Sequence, residues 1–227
     1  MALILNIETS TDVCSAALSV DGRVVDAAVC TEGMSHASKL PIFCDKLLHH
    51  CRANGQKPDA IAVSAGPGSY TGLRIGVSAA KGLCYGFGAK LIAIDTLQLI
   101  AKAAQAKIAD ENALICPMID ARRMEVYCAL FDHNLQKVGD AEAKIVDENA
   151  LSEQLAERNI YFCGNGAAKC QPILTHKNAH FIDKISPLAE NMVALAEAQF
   201  AQQKFEDVAY FVPFYLKEFQ ATTPKQR

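Results

Sequence analysis

Residues 61–86 read IAVSAGPGSYTGLRIGVSAAKGLCYG, and the order of signals in this stretch sets the fold class. Ile61, Ala62 and Val63 make a short apolar strand. Gly66-Pro67-Gly68-Ser69 breaks it with turn residues, and Ser69 stands where its hydroxyl can cap a long helix running from Tyr70 to Gly86. That helix carries Gly72, Gly76, Gly82 and Gly86, each costing about 1 kcal/mol against alanine in a helix interior. Close approach of something to the helix is the usual compensation, and Gly72, Gly76, Ala79 and Ala80 recur at helical spacing. Two readings stand at this point. The smooth face packs inside one domain, or it receives a partner helix, with the turn and helix N-terminus free to hold a phosphate.

Outward from this unit, the chain looks like two α/β halves. Leu3 to Glu8 reads as a strand ending in a carboxylate, followed by a strand from Val13 to Val20, an Asp21-Gly22 hairpin turn and a third strand from Arg23 to Cys30. A similar series begins at Leu114 to Ile119 and ends at Asp120. Met124 to Phe131, a turn at Asp132-His133-Asn134 and Lys137 to Val146 complete it. Helices are expected over Ser35 to Cys51, Tyr70 to Gly86 and Thr96 to Lys107 in the first half. In the second they are expected over Asn149 to Arg158, Ala167 to Cys170 and Pro187 to Lys204. The repeat divides the chain into an N-terminal lobe, 1–106, and a C-terminal lobe, 107–227, that includes the last helix and tail.

Composition narrows the function classes. The 227 residues are 51% hydrophobic, enough for a sizeable core, and the net charge of −3 gives no basic field for nucleic acid. Any contact with RNA is therefore expected to run through a partner. The apolar start, Ala2 to Ile7, meets Glu8 without a basic leader, and no run is long enough to cross a bilayer, so a cytoplasmic chain is expected. Nine cysteines without a CxxC pair read as reduced, buried thiols.

LNIETSTDVCSAAL at the start, SAGPGSYTGLRIGVSAAKGL, IDARRMEVY, CGNGAA and PFYLK near the end together resemble the TsaB (YeaZ) family of tRNA threonylcarbamoyladenosine biosynthesis proteins. The resemblance covers nearly the whole chain and is looser from Asp132 to Phe205. It implies a duplicated, two-lobed actin-like/Hsp70-like ATPase (ASKHA) fold with a degenerate nucleotide site. It further implies a non-catalytic subunit that binds and activates the paralogous TsaD transferase, together with the ATPase TsaE. The product is a threonylcarbamoyl group on N6 of the adenosine 3′ of the anticodon in tRNAs reading ANN codons. ATP and a metal are then expected on the partners, with none held stably by this chain, and the isolated chain is expected to pair with itself.

The residues bear on whether the chain could itself be the catalyst. Actin-like folds bring phosphate to an Asp-x-Gly-Thr/Ser turn, whereas the corresponding stretch here is Glu8-Thr9-Ser10-Thr11, without glycine. A vestigial nucleotide site would comprise Glu8, Thr9, Ser10, Gly66, Gly68, Asp120 and Gly164, with Glu8 and Asp120 facing each other across a cleft. The alternative is that these residues satisfy local backbone groups. The transferase paralogue holds its metal with a His-x-x-x-His pair, and that pattern falls here on Thr96 and Ile100. His176 and His180 have the spacing but sit in a weakly patterned turn region, so no metal site is expected.

For a partner surface, the expected docking face comprises His36, Leu40, Phe43, Leu47, Tyr70, Leu73, Arg74, Gly76 and Val77, on two neighbouring helices. The competing reading makes both helices lobe core. Two further function classes remain: an independent ATP-dependent small-molecule kinase of the same fold, and a metal-dependent glycoprotease-like peptidase. The missing Asp-x-Gly turn and the missing histidine pair count against them.

Overall fold

The computed structural model describes residues 2–33, 35–53 and 55–217. Two five-stranded mixed sheets organise it. The first is built from β1 (Leu3–Glu8), β2 (Cys14–Val20), β3 (Arg23–Cys30), β4 (Ala60–Gly66) and β5 (Lys90–Asp95), in the order β3-β2-β1-β4-β5. The second contains β6 (Leu114–Asp120), β7 (Glu125–Phe131), β8 (Lys137–Ile145), β9 (Ile160–Cys163) and β10 (Ala179–Ile182), in the order β10-β9-β6-β7-β8. Read from β8, the second sheet repeats the first: an antiparallel meander whose inner strand pairs in parallel with a later strand, which in turn pairs in parallel with the next. Four-residue β9 and β10 are too short to carry a period of their own, which is why the sequence did not announce them.

Helices α1 (His36–Ala53) and α2 (Tyr70–Phe87) cover one face of the first sheet. Leu40, Leu47 and Leu48 of α1 and Val77, Ala80 and Cys84 of α2 join Leu5, Ile7, Leu18, Ile61 and Val63 in one core. Every residue of β1 is buried, as a central strand with layers on both faces requires. Asn6 is accommodated there because its amide donates to Ile4 O, Ala17 O and Ser19 Oγ.

Helix α3 (Thr96–Gln105) is shared between the sheets. Its N-terminus is capped by Asp95, whose Oδ1 accepts from Leu97 N at 2.8 Å and Gln98 N at 3.1 Å. Leu97, Ile100, Ala101 and Ala104 pack on the second sheet with Ile115, Ile119 and Phe131, while Leu99 packs on the first with Ile4, Ile92 and Ile94. Helix α6 (Ala189–Ala201), grouped by sequence with the second half, lies instead on the first sheet: Met192 and Ala196 join that same core beneath Ile4, Ala62 and Ile92. The short helices α4 (Ser152–Glu157) and α5 (Ala167–Cys170) belong to the second lobe, where Leu155, Ala167 and Cys170 cover the other sheet face. Eight of the nine free cysteines are buried, with Cys30 at intermediate exposure.

The glycines of α2 divide into two pairs. A Cβ added at Gly72 would sit 2.1 Å from Thr9 O, and one at Gly76 would sit 2.2 Å from Thr9 Oγ1. Gly82 and Gly86 have nothing within 4 Å of such an atom. The first pair is therefore required by the core, and the second is not. Gly76→Ala should destabilise the chain by about 2 kcal/mol or more through overpacking. Gly82→Ala should stabilise it by about 0.5–1 kcal/mol through helix propensity. Denaturant melts of the two variants check this; equal effects would mean that the pairs are not distinct.

Candidate functional site

The cleft between the lobes is assembled from the end of each sheet's first strand and from the N-terminus of α2. About 430 Å³ in volume, it is lined by Ser10, Thr11 and Asp12 after β1, and by Gly68 to Thr71 at the start of α2. Asp120 at the end of β6, Ala121 and Arg122 after it, Glu125 and Tyr127 of β7, Asn165, and Tyr215 to Lys217 form the other walls. The sequence motifs that carried the resemblance thus converge, although the position of each side chain differs from the simple expectation.

Glu8 does not face Asp120. It is fully buried, and the backbone N–H and the hydroxyl of Ser10 both donate to its Oε1. Burial pushes the Glu8 carboxyl up from 4.5 to about 7, with the Ser10 bonds and weaker pulls from Ser64 and Thr9 offsetting only part of that rise. Its Oε2 makes no hydrogen bond of good geometry, consistent with the weakness of the Ser64 pull. Asp120 is exposed and ion-paired with Lys169, and its Oδ1 also accepts from Arg122 N at 2.8 Å. Partial burial disfavours the Asp120 anion, but the Lys169 and Arg122 bonds and charges outweigh it and hold the carboxyl below its usual value. The two carboxylates are a buried turn-holder and a surface ion-pair partner.

The remaining expected nucleotide-site residues serve backbone crossings. Thr9 is buried, and its hydroxyl donates to Gly72 O at 2.8 Å. Ser10 O accepts from Ser69 N at 2.7 Å, and a Cβ at Gly68 would lie 2.4 Å from that same carbonyl. Ser69 caps α2 by accepting from Gly72 N at 3.2 Å. Gly66 and Gly164 have φ of +110° and +93°, and an added Cβ would meet Phe214 O and Met118 O respectively. The amides of Ser10, Ser69 and Gly72, placed where a phosphate turn would offer donors, are therefore bonded within the protein.

The expected docking residues need a larger correction. Leu40, Leu47 and Leu73 are fully buried, Val77 nearly so, and Gly76 is closed by Thr9. His36 is also buried, its Nε2 lying 2.8 Å from Thr11 O. These six belong to the lobe core, packed beneath the sheet and against the β1–β2 turn. Phe43 is half-buried against that core. Tyr70 lies on the cleft wall, its ring 4.8 Å from that of Tyr215, and Arg74 stacks over Tyr70 with its head in solvent. The outer face of α2 instead carries Arg74, Ser78, Gly82 and Gly86 at four-residue spacing, flanked by Tyr85, which is 90% exposed. Ile42 on α1 is 62% exposed. A signal for this face existed in the sequence, since Gly82 and Gly86 repeat the spacing of Gly72 and Gly76 one quarter-turn away.

Thr96 and Ile100, where the family resemblance sets the paralogue's histidine pair, are buried at the start and middle of α3. His180 stacks on Tyr161, with Nε2 3.1 Å from Asn159 Oδ1, and His176 Nδ1 accepts from Asn178 N at 3.2 Å. His180 lies on a strand and His176 in the preceding turn, so their spacing places no two imidazoles on one helix face. Arg122 and Lys217 are cleft residues that the sequence did not single out. The first sits inside the IDARRMEVY motif, and Lys217 closes PFYLK.

These features define a class: a two-lobed α/β protein of duplicated sheet topology whose interlobe turn is closed upon itself. A family model described as TsaD, tRNA N6-adenosine threonylcarbamoyltransferase, matches residues 32–225. The tRNA threonylcarbamoyladenosine biosynthesis protein TsaB of Haemophilus influenzae is 29% identical over 94% of this chain and 93% of its own length. That of Bacillus subtilis is 33% identical over 71% of this chain and 70% of its own. The crystal structure of a Pseudomonas aeruginosa protein with similarity to peptidase YeaZ superposes with a TM-score of 0.82 at 26% identity, covering 96% of this chain and all of that one. The chain belongs to the TsaB (YeaZ) family.

Glu8 yields a pH test. Its folded value lies above its unfolded one, so the folded state holds the proton more tightly, and the contribution is fully present below about pH 4.5. It is lost progressively as the pH rises to about 7 and stays lost above that. Glu8→Gln keeps an acceptor for Ser10 without the charge. It should be more stable than wild type near pH 8, by up to roughly 3 kcal/mol, and about equal near pH 4. Denaturant midpoints across this range check it; parallel pH profiles would place the ionisation elsewhere.

Proposed function

We propose that this chain is a non-catalytic subunit of tRNA N6-threonylcarbamoyladenosine biosynthesis that binds and activates a TsaD-like transferase, working with a TsaE-like ATPase. The observation that carries this reading is the outer face of α2, where two glycines reduce helix propensity without any intramolecular compensation. A helix from a partner can approach closely over Gly82 and Gly86, with Tyr85 and Ile42 supplying apolar area at its edges. The paralogous transferase is the partner proposed, because a related lobe would present the same helix pair and a four-helix contact would result. In the absence of the transferase the same face would pair two copies of this chain.

The internally bonded turn and the buried Thr96 and Ile100 support the assignment of ATP and metal chemistry to the partners, and tRNA is reached through the complex. The modified atom is N6 of the adenosine 3′ of the anticodon in tRNAs reading ANN codons. Reconstitution with the transferase and the ATPase, omitting each protein in turn, tests the whole reading. Turnover of ATP or transfer of the threonylcarbamoyl group by this chain alone would contradict it.

The docking face has its own test. Gly82→Leu should remain folded, melting close to wild type, yet fail to form the heterodimer on size-exclusion chromatography with the transferase. Arg74→Glu should weaken the complex less, because an exposed rim charge contributes about 1 kcal/mol or less whereas a clash removes the packing. A Gly82→Leu chain that still binds normally would put the interface elsewhere.

A further inference from the structure

We propose that residues 206–217 form a latch across the interlobe cleft, fixed firmly to the first lobe and fastened to the second by the Lys217–Glu125 ion pair. The chain leaves α6 and pairs with the sheet edge, Glu206 N donating to Leu91 O at 2.9 Å. Lys81 of α2 then donates to two of the segment's carbonyls, Ala209 O at 2.9 Å and Phe211 O at 3.1 Å. Val208 and Phe211 pack against the first-lobe core. Phe214 N donates to Ala65 O at 2.7 Å, where β4 ends.

The segment has shaped the turn beneath it. Gly66 combines a φ of +110° with a position where a Cβ would fall 2.3 Å from Phe214 O, so a glycine of the Gly66-Pro67-Gly68-Ser69 turn is required by the passage of the segment. Beyond that point Tyr215 packs on Tyr70, Tyr215 to Lys217 become cleft wall, and the Lys217 ammonium reaches both oxygens of Glu125 on β7. The two ends of the latch are thus held by different forces. Backbone bonds, the two Lys81 bonds and the half-buried Val208 and Phe211 hold 206–214 to the first lobe independently of the ion pair. The fastening to the second lobe is an ion pair with side chains 43% and 20% exposed, which salt screens. The mouth of the cleft opens first at Lys217, and more readily at high ionic strength.

Hydrogen exchange of the full chain, read by mass spectrometry, tests the latch. Lys217→Glu should raise exchange about threefold to fivefold in peptides covering 212–217 and 120–127, the shift expected from losing one partly exposed ion pair. Peptides covering 206–211 should not change. Raising salt from about 0.05 M to about 0.5 M should reproduce the effect in wild type. The double reversal Lys217→Glu with Glu125→Lys should restore the wild-type pattern. Unchanged exchange in Lys217→Glu would overturn the proposal. So would a double variant that stays open, since the lysine would then act through something other than Glu125.

Discussion

The close approach between Thr9 and the first two glycines of α2 constrains the rest of the structure. Thr9 fits against Gly72 and Gly76 only because neither has a side chain, and its hydroxyl bonds to Gly72 O. That seating draws the β1–β2 turn onto the helix N-terminus, where Ser69 N meets Ser10 O and Glu8 takes both donors of Ser10. His36 of α1 reaches the same turn through Thr11 O. One small turn therefore fixes both helices against the sheet, consumes donors that an anion would otherwise meet, and turns Gly82 and Gly86 outward. A buried carboxyl with a raised proton affinity is the cost of holding it, which ties a structural detail to a pH-dependent term in stability.

The second lobe repeats the design with different parts. Its first strand also ends at a carboxylate beside a glycine turn, and Gly164 and Gly166 lie against Met118 and Ile119 as Gly68 lies against Ser10. Gly166 N donates to Met118 O, and Asn165 Oδ1 accepts from Asp120 N. The helix that follows has four residues where α2 has eighteen. Among the described residues, the glycine turn of the second lobe leads into no long helix and so into no counterpart of the outer face of α2. The asymmetry between two halves of one topology is thus enough to make only one of them a candidate for docking. Helices α3 and α6 cross between halves, so the two lobes are built on shared apolar surface.

Much of this was legible in the residues. The two meanders, the strand-turn-helix at 61–86 and the burial of the cysteines follow from periodicity and turn chemistry, and the order of motifs carried the family. What failed was the facing of individual side chains. A helix wheel does not reveal that Thr9, 63 residues upstream of Gly72 in sequence, fills the groove of Gly72 and Gly76, because that contact is made by the turn of another strand. Nor does it reveal that His36, Leu40 and Leu47 are all taken up beneath the sheet. Glu8 looked like a cleft residue because strand-end carboxylates often are, and the competing bonds from Ser10 decided otherwise. The passage of 206–217 over the first lobe was invisible for a related reason: a segment without helical or strand period gains its place from scattered tertiary bonds.

The proposed docking gives α2 two faces, one closed on Thr9 and one that receives a transferase. Site-specific photocrosslinking tests it most directly, with a benzoylphenylalanine in place of Tyr85 on the open face and, separately, in place of Val25 on the exposed edge strand β3. With the transferase present, an efficient crosslink is expected from position 85 and none from position 25. A crosslink from position 25 with none from position 85 would contradict it.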